Sequence, residues 1–303
     1  GETVEARDLW LTGARIDGHP DFFAHLARLA FTEQSPDEAW DKVLRGLRRI
    51  SERGLHPGEW EEDEGRGGVL LRYLTEHLEE SERPPPADAV ELLGDLSGQI
   101  VEPEDRLDLG LCLAHVNRPE QAKGELRAAL PHVEDHDRRD IGARKLCELM
   151  FPGFDERITR MAETEDTGEQ PDALLAFLAS VTEEVPQYWP AWFYRGRILE
   201  RQGRWNEAYD AFRQAVTLRR DQAEIHARMA VSAYVLGRHV DALDAMQRAI
   251  EILPQDAGLH ADHALLLFRA GKVEDAWKEL EVAEVFDLDH EAVRMTRKIL
   301  EAG

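Results

Sequence analysis

A spacing of 34 residues recurs through the last third of the chain and constrains its fold more tightly than any other feature. Gly203, Gly237 and Gly271 stand at that interval, as do Ala208, Ala242 and Ala276, and then Ala215, Ala249 and Ala283. A fourth column, Gly196, Ala230 and Ala264, admits only small residues. Such a period denotes one supersecondary unit copied in tandem, each copy too small to bury its apolar face alone and completed by its neighbours. The units run 189–222, 223–256 and 257–290. In the first, Trp192, Gly196 and Leu199 share one helical face, and after Gly203 a second face is built from Ala208, Phe212, Ala215 and Val216. That is the pattern of two amphipathic helices broken by a glycine. The small residues at 196 and 208 mark a close approach of two helix axes. Pro254 closes the middle unit because its ring cannot continue a helix.

These columns resemble the tetratricopeptide repeat family. Trp192, Gly196, Gly203, Ala208, Phe212 and Ala215 match its pattern in the first unit, Ala230, Gly237, Ala242, Ala249 and Pro254 in the second, and Ala264, Gly271, Ala276 and Ala283 in the third. Arg220 and Leu288 stand where the family prefers proline. The resemblance implies an all-α fold, a right-handed superhelical solenoid of antiparallel helix pairs. Residues 291–303 are expected to form the capping helix, with Val293, Ile299 and Leu300 inward and Arg294, Arg297 and Lys298 outward, because a stack needs a last helix with a wet outer face.

The register extends backward in weakened form. Over 103–136, Gly110, Ala122 and Ala129 reproduce the offsets of Gly196, Ala208 and Ala215. Residues 103–188 are therefore expected to be degenerate repeats, with an inserted helix at 137–150 carrying Ile141, Leu146 and Leu149 on its apolar side. Residues 155–188 end at Pro186 and place Leu174 and Val181 where later units have alanine. Residues 1–102 read as an irregular helical region whose 20–53 stretch keeps Ala27 and Ala39 but departs from the pattern at Gly46. Leu55-His56-Pro57-Gly58, the acidic run from Glu61 to Glu64 with the glycines after it, and Pro84-Pro85-Pro86 punctuate this region as loops and a stiff spacer.

Composition removes whole classes of function. Of 303 residues, 37 are basic and 61 acidic, a net charge of −24, which argues against nucleic acid or anionic lipid as a partner. No run of 18 apolar residues is present, so no membrane insertion is expected. Residues 189–303 hold 16 basic and 19 acidic side chains, which leaves 21 and 42 for residues 1–188. With six lysines against 31 arginines, an acidic face with a function and an adaptation to high salt both fit. Cys112 and Cys147 fall in apolar helical patterns and read as small buried hydrophobes. No secretory signal pattern is evident, and the expected location is the cytoplasm.

No enzyme site emerges. His260-x-x-His263 has helical metal-clip spacing, but no Glu-x-x-His companion or nearby cysteine completes it, so packing is its expected role and no metal or cofactor is expected. His132, Asp135, His136 and Asp137 read as a polar turn. No phosphate-binding glycine loop follows a strand and no nucleophile sits in a recognisable elbow. The family resemblance instead implies a concave wall lined by the first helix of each unit. Carried over by position, that wall comprises Phe193, Tyr194, Arg197, Glu200 and Arg201, then Glu224, Ala227, Arg228, Val231, Tyr234 and Val235, then Ala261, Asp262, Leu265, Phe268 and Arg269. Of these, Phe193, Tyr194, Arg197, Arg201, Arg228, Val231, Tyr234, Leu265, Phe268 and Arg269 are the expected partner-binding residues. Arginine forks suit carboxylates, and aromatic rings supply contact area at low entropic cost. A lysine–asparagine clamp that some members use for a chaperone tail is missing, since Phe193 and Arg197 occupy its first two positions. The expectation is a non-catalytic scaffold or adaptor that binds an acidic or carboxylate-ended peptide of a protein partner. Two alternatives stay open, a self-assembling homo-oligomer and a regulatory domain of a larger enzyme or secretion machine.

Overall fold

A helix with one apolar stripe must bury it against another element, and here helices bury one another. The computed structural model describes residues 9–12, 20–32, 36–53, 69–80, 84–163 and 171–302. The turn expected at 55–58 and the acidic run at 61–64 lie outside the described residues. Among the described residues all regular structure is helical, and no helix is long and apolar enough to cross a membrane. The chain divides into two compact units, Gly1–Glu156 and Arg157–Gly303.

In the first unit α1 (Pro20–Thr32) packs against α2 (Pro36–Arg53). After them come α3 (Val69–Glu80), α4 (Ala87–Leu96), α5 (Pro103–His115), α6 (Pro119–Ala129) and α7 (His136–Met150). Their shared core includes Val43, Leu47, Leu70, Leu74, Leu93, Leu109 and Leu113. Gly46, where the sequence pattern fails, has a physical reason to be smaller than alanine: a Cβ there would collide with Leu70 of α3.

The segment α5–turn–α6 is a repeat hairpin. Gly110 faces Leu126, and a Cβ added at Gly110 would stand 2.8 Å from Leu126 Cγ. The turn between these helices holds Asn117 at φ 59°, in the left-handed region that glycine and then asparagine tolerate best. Helix α7 then lies against both α5 and α6. The expectation that Ile141 would face inward is corrected by the structure, in which Ile141 is 53% exposed and the helix buries Gly142, Ala143, Leu146 and Cys147. The cause is a close approach, since any side chain at Gly142 would strike Leu107 of α5. Both cysteines are buried and unpaired with each other, and burial pushes the Cys112 thiol up to about 12.

Helix α8 (Phe154–Glu163) precedes the second unit's regular stack. That stack consists of α9 (Pro171–Glu184), α10 (Trp189–Arg201), α11 (Trp205–Leu218), α12 (Ala223–Val235), α13 (His239–Ile252), α14 (Ala257–Arg269), α15 (Val273–Asp287) and α16 (Glu291–Ala302). The pairs α10/α11, α12/α13 and α14/α15 are the three units of the sequence period. Gly203, Gly237 and Gly271 all adopt left-handed φ, at 73°, 74° and 79°. In each turn the next residue's N–H donates to a carbonyl five residues back, as in Arg204 to Leu199, Arg238 to Ala233 and Lys272 to Leu267, each at 2.9 Å. Arg118 donates to Leu113 at the same distance in the Asn117 turn.

Gly196 permits a close contact between α10 and α11, where an added Cβ would come within 2.6 Å of the Phe212 ring. Helix α16 closes the stack. Val293, Thr296 and Leu300 are buried, Arg294 and Lys298 are exposed, and the Arg297 Nε donates to Glu284 of α15 at 2.6 Å.

Candidate partner-binding face

The first helices of the repeats, α10, α12 and α14, carry the candidate residues. Their side chains divide by depth. Phe193 is only 6% exposed, so its place among accessible groove residues is corrected. Because Gly196 leaves room beside Phe212, the Phe193 ring turns in to meet it, with ring centroids 6.1 Å apart. Tyr194, Arg197, Arg228, Val231, Tyr234, Leu265 and Phe268 are half-buried. Phe268 packs on the α14–α15–α16 core and Tyr234 on the α12–α13 core. Arg201 and Arg269 stand exposed in the last turns of α10 and α14, a favourable end for a cation on a helix.

What the structure gathers is a charge cluster across adjacent helices. Arg228 of α12 donates to Glu200 of α10 at 3.4 Å, and its Nε lies 3.9 Å from Glu224 one turn earlier. Arg197 lies over the Phe193 ring at 5.9 Å. Burial pushes the Glu200 carboxyl above its usual value, opposed by Arg228 and Arg197. The Asp262 carboxyl on α14 is likewise pushed up by burial and pulled down by Arg228. Burial raises the Tyr194 phenol, with Arg197 acting against it. The face is thus of mixed charge. Sequence reasoning placed Glu200, Glu224 and Asp262 on this wall beside the arginines, but not the pairings that Arg228 makes with them. The four-residue step from Glu224 to Arg228 is a local signal for one of them, whereas Glu200 meets Arg228 only across the helix pair.

The same face in the first unit is covered. Counting from Gly110 and Gly196, the positions of Tyr194, Arg197 and Glu200 correspond to Asp108, Leu111 and Ala114 of α5. There α7 lies alongside, and Arg138 reaches in to donate to Asp108 and Glu104, each at 2.5 Å. Asp108 is 4% exposed, and burial pushes its carboxyl up to about 6 against the pull of the Arg138 guanidinium. A neighbouring buried carboxylate, Glu125 of α6, accepts from Arg106 at 2.9 Å, Ser97 Oγ at 2.9 Å and the Gly98 N–H at 2.7 Å.

His260 and His263 do not act alone. His260 Nδ1 lies 2.5 Å from Glu279 of α15 and its Nε2 lies 3.0 Å from the Pro254 carbonyl, while His263 Nδ1 is 3.4 Å from Glu279. Burial pushes the Glu279 carboxyl up, and the two imidazoles outweigh that and hold it below its usual value. The trio ties the first helix of the last repeat to the second. Among the described residues no group of three or more His, Cys, Asp or Glu side chains is arranged to hold a metal ion.

Helix pairs in one register, joined by left-handed turns and sealed by small residues against large ones, define a helical-repeat architecture. Residues 189–221 match the family model of the tetratricopeptide repeat, and the next two helix pairs repeat the turn geometry of that segment. Among solved structures the chain is similar to MamA. A crystal structure of MamA overlaps 57% of this chain and 94% of its own at 17% identity, with a TM-score of 0.41. The MamA RS-1 ArsTM double mutant overlaps 62% and 98% at 14% identity and 0.39. MamA from Desulfovibrio magneticus RS-1, from residue 41 onward, overlaps 62% and 98% at 14% identity and 0.37. A comparison with curated proteins finds no match.

Proposed function

We propose that the chain is a non-catalytic scaffold or adaptor that holds an acidic or carboxylate-ended peptide segment of a protein partner against α10, α12 and α14. The observation that carries this reading is the contrast between equivalent faces. On α5 a helix of the same chain covers the face and closes a short arginine–carboxylate contact at Arg138. On α10 and α12 Arg197 and Arg228 are half-exposed, and Arg228 meets the carboxylates of Glu200 and Glu224 through contacts of 3.4 and 3.9 Å. A guanidinium satisfied so loosely gains from a carboxylate that approaches within about 2.8 Å in bidentate geometry. Tyr194 and Tyr234 add amphipathic contact area beside it. The near-balance of charge over 189–303, against the strongly acidic remainder, lets an acidic segment approach this face without strong long-range repulsion.

The test uses the full chain and fluorescent peptides with acidic sequence and free or amidated C-termini. Fluorescence anisotropy should show binding that weakens as salt rises, because the charge contribution is screened. Replacing Arg197 and Arg228 together by glutamate should weaken binding at least about a hundredfold, since each hydrogen bond to a charged group in a partly desolvated site contributes roughly 1.5–3 kcal/mol. A free terminus preferred over its amide would identify a carboxylate-end reader. Affinity untouched by the double reversal would remove these helices as the site.

A further inference from the structure

The outward stripe of each second helix can be compared position by position across the three repeats. In α11 it reads Asp210, Gln214 and Thr217, with Asp221 just beyond the helix end. In α13 it reads Asp244, Arg248 and Glu251, then Gln255, and in α15 Lys278, Val282 and Val285, then Asp289. Every one of these positions is exposed. Only the last repeat places two apolar side chains where the others carry polar ones, and there Val285 is 83% exposed and Val282 39%. At the same positions α13 has an ion pair, Arg248 to Glu251 at 2.6 Å. The packing of α15 does not call for these valines, because Ala276, Leu280 and Ala283 are the residues it buries. Phe286, 41% exposed, and Leu288, 60% exposed, extend the apolar surface toward the end of the helix. Exposed apolar surface of this kind marks an interaction site.

The order of charges along the stripe selects the occupant. Its four positions are separated by four, three and four residues and run cation, valine, valine, anion. That sequence is its own complement when reversed. Two copies arranged antiparallel about a two-fold axis between Val282 and Val285 place Lys278 of one protomer opposite the partner's Asp289, and do so twice, with the four valines meeting between. A parallel arrangement would set like charges together. Isologous two-fold interfaces require this self-complementarity. Among the described residues Lys278 pairs with Asp275 at 3.3 Å, both side chains exposed, a contact too weak to prevent exchange. We propose that the outward face of α15 docks a second copy of this chain, α15 against α15 in antiparallel register.

Sedimentation equilibrium of the full chain over a concentration series tests this, with circular dichroism to verify that each variant keeps its helix content. A reversible monomer–dimer equilibrium is expected. A small two-helix interface is a weak one, so the dimer should populate at roughly tens of micromolar. Val285→Glu should weaken it at least about tenfold, as burial of an unpaired charge at the centre of an interface does. Lys278→Asp alone should weaken it, and combining Lys278→Asp with Asp289→Lys should restore it, because the swap rebuilds both pairs only in the antiparallel arrangement. Arg197→Glu with Arg228→Glu should leave the dimer unchanged, which separates this proposal from the peptide-binding reading. A chain that stays monomeric throughout, a dimer indifferent to Val285→Glu, or a charge swap that restores nothing would each overturn it.

Discussion

The hairpins α5/α6 and α10/α11 are the same structure built with different residues. Both close a small-against-large contact, Gly110 on Leu126 in the first and Gly196 on Phe212 in the second. Seven residues later both place a left-handed residue, Asn117 in one and Gly203 in the other. They differ in what lies on the first helix. Helix α7 covers α5 and delivers Arg138 to a buried carboxylate, whereas the equivalent surface of α10 is left half-buried and Arg228 of α12 meets Glu200 there at 3.4 Å. A repeat can therefore lose its sequence signature and keep its backbone, because the geometry asks only for a tolerated positive φ and a close approach. Whether its face is used for internal packing or left accessible depends on what the chain supplies next.

The largest expected effect breaks the small-against-large contact. Gly196→Ala should destabilise the second unit by up to about 3 kcal/mol, since the Phe212 ring is rigid and overpacking forces the helices apart. Combining it with Phe212→Leu should recover part of that loss, because the two positions share one space. Gly110→Ala should behave likewise in the first unit. Urea unfolding that shows Gly110→Ala to be neutral would mean that the two hairpins are not held by the same contact.

A pH series sharpens the difference between the covered and accessible faces. An unfolded Asp108 carboxyl titrates near 3.8 and the folded one near about 6, so between those values the folded state retains the proton that the unfolded state has lost. The stability contributed by this group therefore declines as pH rises from about 4 to about 6 and is level above that. Relative to Asp108→Asn, the unfolding free energy of the natural chain should fall by on the order of 2 kcal/mol across that window. A difference that stays constant would show Asp108 to be ionised throughout, with Arg138 outweighing burial.

The turns give the smallest effects. Gly237→Ala should cost about 1 kcal/mol through backbone strain alone, because no neighbouring atom lies within 4 Å of the added Cβ. Asn117→Gly should be neutral or stabilise by about 0.5 kcal/mol, since glycine relieves the positive φ that asparagine tolerates. A clear loss of melting temperature for Asn117→Gly would mean that the asparagine side chain contributes something the backbone comparison omits.

The regular repeats were legible because their constraints are local. A left-handed turn restricts the residue at one position and a close helix approach restricts another, so both leave marks at fixed spacing. Asn117 escaped the glycine pattern because a second residue type satisfies the same φ. Ile141 and Phe193 were misplaced for a different reason. Their helices each have more than one side apolar enough to bury, and the tight contacts at Gly142 on Leu107 and at Gly196 on Phe212 decided which way the helix turned.

By itself the sequence determined the helix pairs, their 34-residue register, the turn glycines and the small columns that seal each pair. Only the tertiary structure decided that Phe193 is interior, that Glu200 shares Arg228, and that α7 covers α5 through Arg138 and Asp108, thirty positions apart in the chain. The physical reason is range: periodicity records what neighbours along a helix require of one another, whereas the charge and exposure of a face depend on side chains brought to it from distant turns.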